Sequence, residues 1–400
     1  MKQNTWRVAF LTDVHIRDSE IVLHGRLLAE TVEQITAWGP DLILVGGDMA
    51  GLQVPHKATV AERNGIARTL NDLARCAPVI CARGNHDFPG DWSFLNYLPG
   101  VTWVEGDPSL VTIDAERAGQ SVPLSVLVLP WLDRSRFAPG ADYPASVRAS
   151  YRAAFRGSAE DLAETRAAGG ACFLLGHAAV VGASLRVGQP PVPTEDPVTD
   201  LAELLEGSAS IDAGFFGHYH SPQDLGWACR YGGSLFANEY GEDLARGWTS
   251  WTSNLGFSHH PIAQPMRAVV RYAAGDPFVG SSDPAEFAAG ARIDKADLAP
   301  GAKLKLVVSV PSPSAISAAR VEALRYASGF AARGVEAKIV FEIAREERSR
   351  AGAVETARAV TMRDKFAAWA ATSSEGRDLE PRAFGLLAEI ESEIDSQGLS

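Results

Sequence analysis

The sequence of 400 residues contains few cysteines, and none of them lies in a paired pattern. Cys76, Cys81, Cys172 and Cys229 show no CxxC spacing, and three of them lie in or beside apolar runs. No spacing typical of a thiolate zinc site is present, and cysteines in apolar runs are typical of core residues and not of a disulfide framework. We interpret the four residues as small core side chains in a reducing compartment.

A secretion signal and long apolar runs are also missing. The first ten residues, MKQNTWRVAF, lack a charged segment followed by an apolar one. Apolar runs such as LSVLVLPWL (residues 124–132) are far too short to cross a bilayer. We therefore expect a cytoplasmic location and no membrane as a partner.

The chain has no excess of positive charge, since its formal net charge is −12. Phosphate contacts need Lys and Arg, so this balance argues against a surface that binds nucleic acid everywhere. A local basic groove is still compatible with it. An acidic chain also suits a carrier of divalent cations, because bound cations neutralise clustered carboxylates.

The length and the patterning predict several domains. A chain of 400 residues is longer than one hydrophobic core usually holds. Strand-like runs alternate with helical patterns over residues 1–262, which predicts a layered α/β domain with buried strands. A strand–helix–strand pattern predicts a small α+β domain over residues 263–345. Helical periodicity predicts a helical tail over residues 346–400.

Several apolar runs are followed by residues of types that can bind metals, and in most of these places a glycine comes before the polar residue. These residues are Asp13 and His15 in TDVH, Asp48 in GGD, Asn85, His86 and Asp87 in GNHD, His177 in LGH, and His218 and His220 in GHYH. Imidazoles and carboxylates bind borderline divalent metals, and a carboxylate can bridge two of them. Residues two apart in an extended segment point the same way, so a DxH or HxH pair can face one ion cluster. Each motif alone is typical of a turn, a cap or a solvated loop, but the ordered set favours a metal centre.

The ordered set D-x-H, G-D, G-N-H-D, G-H and G-H-x-H resembles the calcineurin-like metallophosphoesterase superfamily over residues 8–220. The resemblance implies a four-layer α/β/β/α sandwich, here with the small capping domain and the helical tail. It also implies two divalent metal ions. One would be held by Asp13, His15, Asp48 and His220, and the other by Asp48, Asn85, His177 and His218.

The same resemblance implies a mechanism. The two cations would activate a bridging water for in-line attack on phosphorus. His86 would donate a proton to the leaving oxygen, and Asp87 would orient the imidazole of His86. Manganese, zinc and iron are the candidate metals. A mixed nitrogen and oxygen ligand set with one amide suits manganese, so we expect Mn²⁺.

The surroundings of the last motif are similar to the SbcD-type nuclease subunit. GHYHSPQ is followed by YGGSLF and then by the acidic NEYGEDLARG. This likeness implies a nuclease that processes single- or double-stranded DNA ends, a tail that docks on an SbcC-type ATPase, and a homodimer. Packing of the tail's apolar face, with Phe366 and Trp369, on its own domain is the alternative. Two departures concern substrate positioning. Ile16 and Arg17 follow D-x-H where relatives have Leu-Gly, and Gly51 stands where some relatives have a histidine.

Two alternatives stay open beside the nuclease. A phosphodiesterase or phosphatase for small molecules or nucleotides agrees with the acidic charge. A metal-binding scaffold without activity is disfavoured because no ligand position is missing. The other histidines have weaker patterns: His24 is expected on a solvated helix face, His56 on a loop surface or in the groove, and His259 and His260 in an exposed linker.

Overall fold

A computed structural model describes residues 5–51, 56–117, 119–184, 197–206, 211–242, 245–274 and 300–343. Two six-stranded sheets, a three-stranded sheet and a two-stranded sheet account for the strands of these residues. None of the helices in the described ranges has the length and apolar character needed to cross a bilayer.

The first six-stranded sheet is mixed. Its strands are β1 (Arg7–Leu11), β2 (Leu42–Val45), β3 (Val79–Ala82), β4 (Val101–Val104), β13 (Gly247–Thr252) and β14 (Gly256–Pro261). Their order in the sheet is β14-β13-β1-β2-β3-β4. β1 to β4 run parallel, whereas β13 runs antiparallel to β1 and β14 antiparallel to β13. All residues of β2 and β3 are buried, as expected for parallel strands that are covered on both faces.

The second six-stranded sheet is also mixed. Its strands are β5 (Ser109–Arg117), β6 (Gln120–Leu129), β7 (Ala171–His177), β10 (Ala213–Gly217), β11 (Gln223–Gly226) and β12 (Cys229–Tyr231), in the order β11-β12-β10-β7-β6-β5. The chain between β7 and β10 also forms a small pair, β8 (Ala179–Val180) and β9 (Val198–Thr199).

The two six-stranded sheets pack face to face with helices on both outer sides. Phe10 of the first sheet lies against Phe215 of the second, with ring centroids 5.3 Å apart. α1 (Ile21–Trp38) and α2 (Val60–Ala74) cover the outer face of the first sheet. α3 (Tyr143–Gly157), α4 (Ala159–Ala167) and α5 (Leu201–Leu205) lie on the side of the second. The layers confirm the predicted α/β/β/α arrangement.

A three-stranded parallel sheet forms a separate hydrophobic core. Its strands are β15 (Arg267–Ala273), β16 (Lys303–Val310) and β17 (Glu336–Ile343), and α6 (Ile316–Ala331) connects the last two. The strand–helix–strand pattern is therefore as predicted. The boundary between residues 262 and 263 stays a prediction, and the tail of residues 346–400 lies outside the described residues.

One buried carboxylate joins this small sheet to the α/β sandwich. Glu20 precedes α1, and its side chain is 5% exposed. Lys303 Nζ lies 2.9 Å from its Oε1, and Arg17 and Arg267 also form ion pairs with it. Burial alone would raise the pKa of Glu20, but Lys303, Arg17 and Arg267 lower it to about 2.

The environment of His24 differs from the sequence expectation of a solvated helix face. His24 is buried, because it shares a face of α1 with Leu28 and Ile35. Its ring stacks on Phe236 at 5.1 Å, and its Nδ1 accepts a hydrogen bond from the Arg17 amide at 3.1 Å. Burial lowers the pKa of His24 to about 4, so this imidazole is neutral at pH 7.

The expectation of an exposed linker for His259 and His260 is wrong. Both residues lie in the edge strand β14, paired with β13. The His260 ring stacks on Trp248 at 4.0 Å, and its Nε2 lies 2.8 Å from Ser250 Oγ. The short sequence GFSHHP has no apolar alternation, so its pairing depends on β13 and not on its own pattern.

Candidate metal centre

The predicted ligands meet at the carboxyl ends of strands from both six-stranded sheets. Asp13 and His15 follow β1, Asp48 follows β2, Asn85 follows β3, His177 ends β7, and His218 and His220 follow β10. Parallel strands place their carboxyl ends at one edge of a sheet, and the two sheets are packed so that these edges adjoin. Asp13, His15 and His177 are 0% exposed, and Asp48 is 1% exposed. The structure therefore brings all seven residues together.

Four of these residues have a backbone conformation that is rare outside glycine. The φ angles are 50° at Asp13, 47° at His15, 53° at Asp48 and 105° at His218. Such conformations cost about 1–3 kcal/mol each and cluster at functional sites. Each one turns the chain sharply after its strand, at the sheet edges where the candidate ligands meet.

The first group of donor atoms comes from Asp13, His15 and His220, with Asp48 beside it. The Nε2 atoms of His15 and His220 lie 3.2 Å apart. Asp48 Oδ2 lies 3.7 Å from His15 Nε2, and Asp13 Oδ1 lies 3.9 Å from His220 Nε2. Two atoms that each lie about 2.0–2.1 Å from one cation are themselves about 3–4 Å apart. The observed separations therefore agree with several donor atoms around one cation.

The second group comes from Asn85, His177 and His218, again with Asp48 beside it. Asn85 Oδ1 lies 2.9 Å from His177 Nε2 and 3.0 Å from His218 Nδ1. Asp48 Oδ2 lies 3.4 Å from His177 Nε2. The same oxygen of Asp48 thus adjoins both groups, as a bridging ligand must.

The hydrogen bonds of the imidazoles leave lone pairs that face one another. His15 Nδ1 contacts the Gly51 carbonyl, so it must carry the proton, and Nε2 then has a lone pair. His220 Nδ1 lies 3.5 Å from Glu242 Oε1 and is protonated for the same reason. Two lone pairs at 3.2 Å repel unless a metal ion or a proton lies between them. The donor set therefore fits a metal ion.

The charges of the group also favour a cation. The pKa of Asp48 lies well below its usual value, because the imidazoles of His177 and His86 outweigh the effect of burial. Asp48 in turn raises the pKa of His177 to about 9, although burial opposes this. Burial lowers the pKa of His218 to about 3. The buried carboxylates thus draw a proton onto His177 wherever no other positive charge neutralises them.

Comparison with known families agrees with the donor set. The family model described as calcineurin-like phosphoesterase matches residues 7–222. This chain belongs to the calcineurin-like phosphoesterase family. The structure thus describes a metal-dependent phosphoesterase whose buried His and Asp groups fit the two-metal site typical of the superfamily.

Other comparisons are more distant. No curated protein matches the phosphoesterase. Among solved structures, it is similar to GAP50, described as the anchor in the inner membrane complex of Plasmodium. The two share 12% identity with a TM-score of 0.39, over 66% of this chain and 91% of that chain.

His86 lies at the solvent side of the phosphoesterase site. Its side chain is 16% exposed, and its Nε2 lies 3.9 Å from Asp48 Oδ2. Its ring stands edge-on to His15 at a centroid distance of 4.8 Å. With His15 and Asp48 it also forms a group that can hold a metal ion, so its assignment as a proton donor and not a ligand stays a prediction.

Asp87 has a role that the sequence did not indicate. Its Oδ2 accepts hydrogen bonds from the amides of Asp48 and Gly84, and its Oδ1 accepts one from Met49, each at 2.9 Å. Asp87 therefore fixes the turn that carries the bridging carboxylate. Its orientation of the His86 imidazole stays a prediction.

Sequence reasoning did not single out Glu242, which adjoins His220 Nδ1. Its Oε2 accepts a hydrogen bond from the Asn238 amide at 2.7 Å, and Arg246 Nη2 lies 3.2 Å from its Oε1. Burial would raise the pKa of Glu242, but His220 and Arg246 lower it to about 2. An ionised carboxylate on the far nitrogen of a ligand histidine fixes the tautomer and raises the basicity of the ligand.

Arg83 and Trp131 also escaped sequence reasoning. Arg83 is 2% exposed, and its guanidinium donates to the Asp87 carbonyl at 3.0 Å and the Trp131 carbonyl at 3.1 Å. Its Nη1 lies 2.7 Å from Asp133 Oδ2. The Trp131 ring stacks on His218 at 5.4 Å. These contacts connect the GNHD turn to the second sheet. In the sequence, the only local indication of this connection is the arginine directly before GNHD.

The residues define what this site can do chemically. Two divalent ions held by the seven ligands would stabilise charge on phosphoryl oxygens and lower the pKa of a bound water. His15 and His177 present Nε2 toward such ions, because their Nδ1 atoms contact the carbonyls of Gly51 and Gly46. An imidazole such as that of His86, which lies beside Asp48 at the solvent side of the site, is a group that can donate or accept a proton.

Proposed function

We propose that this phosphoesterase is a two-metal phosphodiesterase that cleaves DNA at its ends, with His86 as the proton donor. The observation that carries the proposal is the position of the segment that resembles SbcD-type nuclease subunits. This segment, residues 217–247, begins with two metal ligands and then passes beside the site. The Ser234 amide donates to the His220 carbonyl, and the Leu235 amide donates to the Thr12 carbonyl, both at 3.1 Å.

Glu242 belongs to the same segment and contacts His220 directly. The segment that resembles the nuclease subunit therefore includes residues that contact the candidate metal ligands. A likeness at these residues supports a nuclease activity for this chain more strongly than a likeness at a distant surface would. By the same likeness we propose Mn²⁺ as the metal. An SbcC-type ATPase and a second copy of the chain are proposed as partners.

A phosphodiesterase for small molecules or nucleotides is the second candidate. The observation that favours it is the formal net charge of −12, which opposes the approach of a polyanion. Both candidates use the same metals and the same His86, so the substrate alone separates them.

Cleavage by the full chain with manganese tests the proposal. The substrates are an end-labelled DNA duplex and bis-p-nitrophenyl phosphate, and metal content is measured by mass spectrometry. The His86→Ser protein is the control. We expect the wild type to cleave both substrates, and His86→Ser to bind two ions per chain but lose activity by about 10²- to 10⁴-fold on DNA.

Cleavage of the small diester alone, even with a matching ATPase present, would refute the nuclease and favour the second candidate. A protein that binds manganese and cleaves neither substrate would contradict both. If His86→Ser lost its metal ions, His86 would be a ligand, and its assignment as the proton donor would be wrong.

A further inference from the structure

We propose that His56 and Glu62 form a positioning pair that holds His86 and His15 in place. The pair lies beside the candidate metal ligands. Its action on His86 rests on the proposed function, in which His86 donates the proton. Neither side chain is among the donor atoms described above, so the pair acts through other residues.

The first contact of the pair is with the backbone of the GNHD turn. The His56 amide donates a hydrogen bond to the His86 carbonyl at 2.6 Å. His56 also forms a β-bridge with Asp87. The backbone of His86 is thus held from one side by His56. On its other side, its amide donates to Asp48 Oδ1 at 2.8 Å.

The second contact is between the His56 ring and Gly51. Gly51 has a φ of 66°, and a β-carbon at this position would overlap the His56 ring. The Gly51 carbonyl is the group that accepts from His15 Nδ1. Because the ring packs on Gly51, it limits the movement of the carbonyl that orients the His15 imidazole.

Glu62 fixes His56 and connects a third segment. It is 2% exposed, and its Oε2 lies 2.8 Å from His56 Nε2 and accepts from the Thr59 amide at 2.9 Å. Its Oε1 accepts from the Asp18 amide at 3.1 Å. One buried carboxylate at the start of α2 therefore joins the His56 loop to the loop that follows His15.

These contacts form a chain from a rigid helix to two histidines of the site. The capping box of Thr59 and Glu62 anchors the carboxylate on α2. Positioning of catalytic groups is sensitive to small shifts, and a displacement of about 1 Å can cost about 10²-fold in rate. His56→Ala keeps the amide that contacts the His86 carbonyl but removes the ring that bonds Glu62, so the segment that carries this amide should shift. The shift should impair proton donation by His86 more than it impairs metal binding.

The test compares leaving groups. p-Nitrophenolate departs without a proton, whereas the alkoxide released from a thymidine dinucleotide needs one. At saturating manganese, His56→Ala should lower kcat on the dinucleotide by about 10- to 100-fold. On bis-p-nitrophenyl phosphate it should lower kcat by less than about threefold. KM should stay unchanged. His56→Gln, whose amide can still donate to Glu62, should recover most of the loss.

The matched control is His260→Ala, which truncates another partly buried histidine with one hydroxyl partner, Ser250 Oγ, outside the site. The absorption spectrum of the cobalt-loaded full chain gives a readout that does not depend on turnover. It should change in His56→Ala, through Gly51 and His15, and not in His260→Ala.

The outcomes separate the two proposals. If the wild type cleaves neither diester but the cobalt spectrum changes in His56→Ala alone, the proposed function is wrong and the link of the pair to His15 stands. If the wild type is active and His56→Ala lowers kcat equally on both substrates, the positioning pair is refuted. The same holds if His56→Ala lowers kcat on the dinucleotide no more than His260→Ala does. An unchanged cobalt spectrum in His56→Ala would refute its link to His15.

Discussion

Replacement of Glu20 by glutamine should destabilise the protein strongly and in a pH-dependent way. This carboxylate, 5% exposed, is the meeting point of Arg17, Arg267 and Lys303. Its pKa is about 2, against an ordinary value of 4.5. One pKa unit corresponds to about 1.36 kcal/mol, so the ionised form contributes about 3 kcal/mol to the free energy of unfolding at pH 7.

The sign of the pH dependence follows from the lowered pKa. The contribution of Glu20 is fully present above the unfolded pKa of about 4.5 and is lost as the pH falls through the folded value of about 2. The difference between wild type and Glu20→Gln should therefore shrink from about 3 kcal/mol at pH 7 to about 1 kcal/mol at pH 3. The three cations stay protonated over this range. His24, whose Nε2 lies 3.8 Å from Glu20 Oε2, gains a proton as the pH falls through about 4, so both proteins are compared with His24 replaced by asparagine.

Urea unfolding followed by tryptophan fluorescence measures both differences. The matched control is Asp72→Asn, because Asp72 is 37% exposed and its pair with Arg75 lies on the surface. Exposed pairs of this kind contribute about 0–1 kcal/mol. A loss below about 1 kcal/mol for Glu20→Gln at pH 7 would refute the reasoning, and so would a difference that is equal at both pH values.

Three further predictions concern the metal centre. Glu242→Gln should weaken metal binding by about 10- to 100-fold, measured by calorimetry with manganese, because the far nitrogen of His220 loses an ionised partner. Gly84→Ala should abolish binding of the second ion, measured by mass spectrometry, because a β-carbon there would overlap the Asp48 carboxylate and amide. Removal of metal by chelation should abolish phosphodiester cleavage, and added manganese should restore it.

Each of these has its own check. Gly106→Ala is the control for Gly84→Ala, since a β-carbon at Gly106 meets no atom within 4 Å. Equal manganese affinity in Glu242→Gln and wild type would show that the carboxylate does not act on His220. Cleavage that survives complete chelation would contradict a metal-dependent reaction.

The parts of the fold that follow local patterns could be predicted from the sequence. The helix α1, Ile21–Trp38, follows an apolar spacing and ends before Gly39, which has a φ of 69°, and both are local signals in the sequence. The candidate metal ligands are recognisable in the sequence for a similar reason. A polar residue at the end of an apolar run is conspicuous, because a buried polar group is costly unless it has a hydrogen-bond partner or a bound ion.

The parts that depend on distant contacts could not be predicted. Glu242 contacts His220 only because the chain returns past the site after β12, and an acidic residue in a loop has no distinguishing pattern. Arg83 looked like an ordinary charged residue, because its partners Trp131 and Asp133 are about fifty positions away. His24 was misjudged because a histidine among apolar positions of a helix can face either solvent or core.

The ligands come from two different sheets, and this has a consequence for folding. Asp13, Asp48 and Asn85 follow strands of the first sheet, whereas His177 and His218 belong to the second. Neither sheet alone offers a complete set, so tight metal binding requires that the two sheets are already packed together. Bound ions would then act as a cross-link across the sandwich, and each would stabilise the packed state by about 2.7 kcal/mol at a free concentration of 100 times its Kd. Metal supply would thereby set the free energy of unfolding of the protein in addition to its activity.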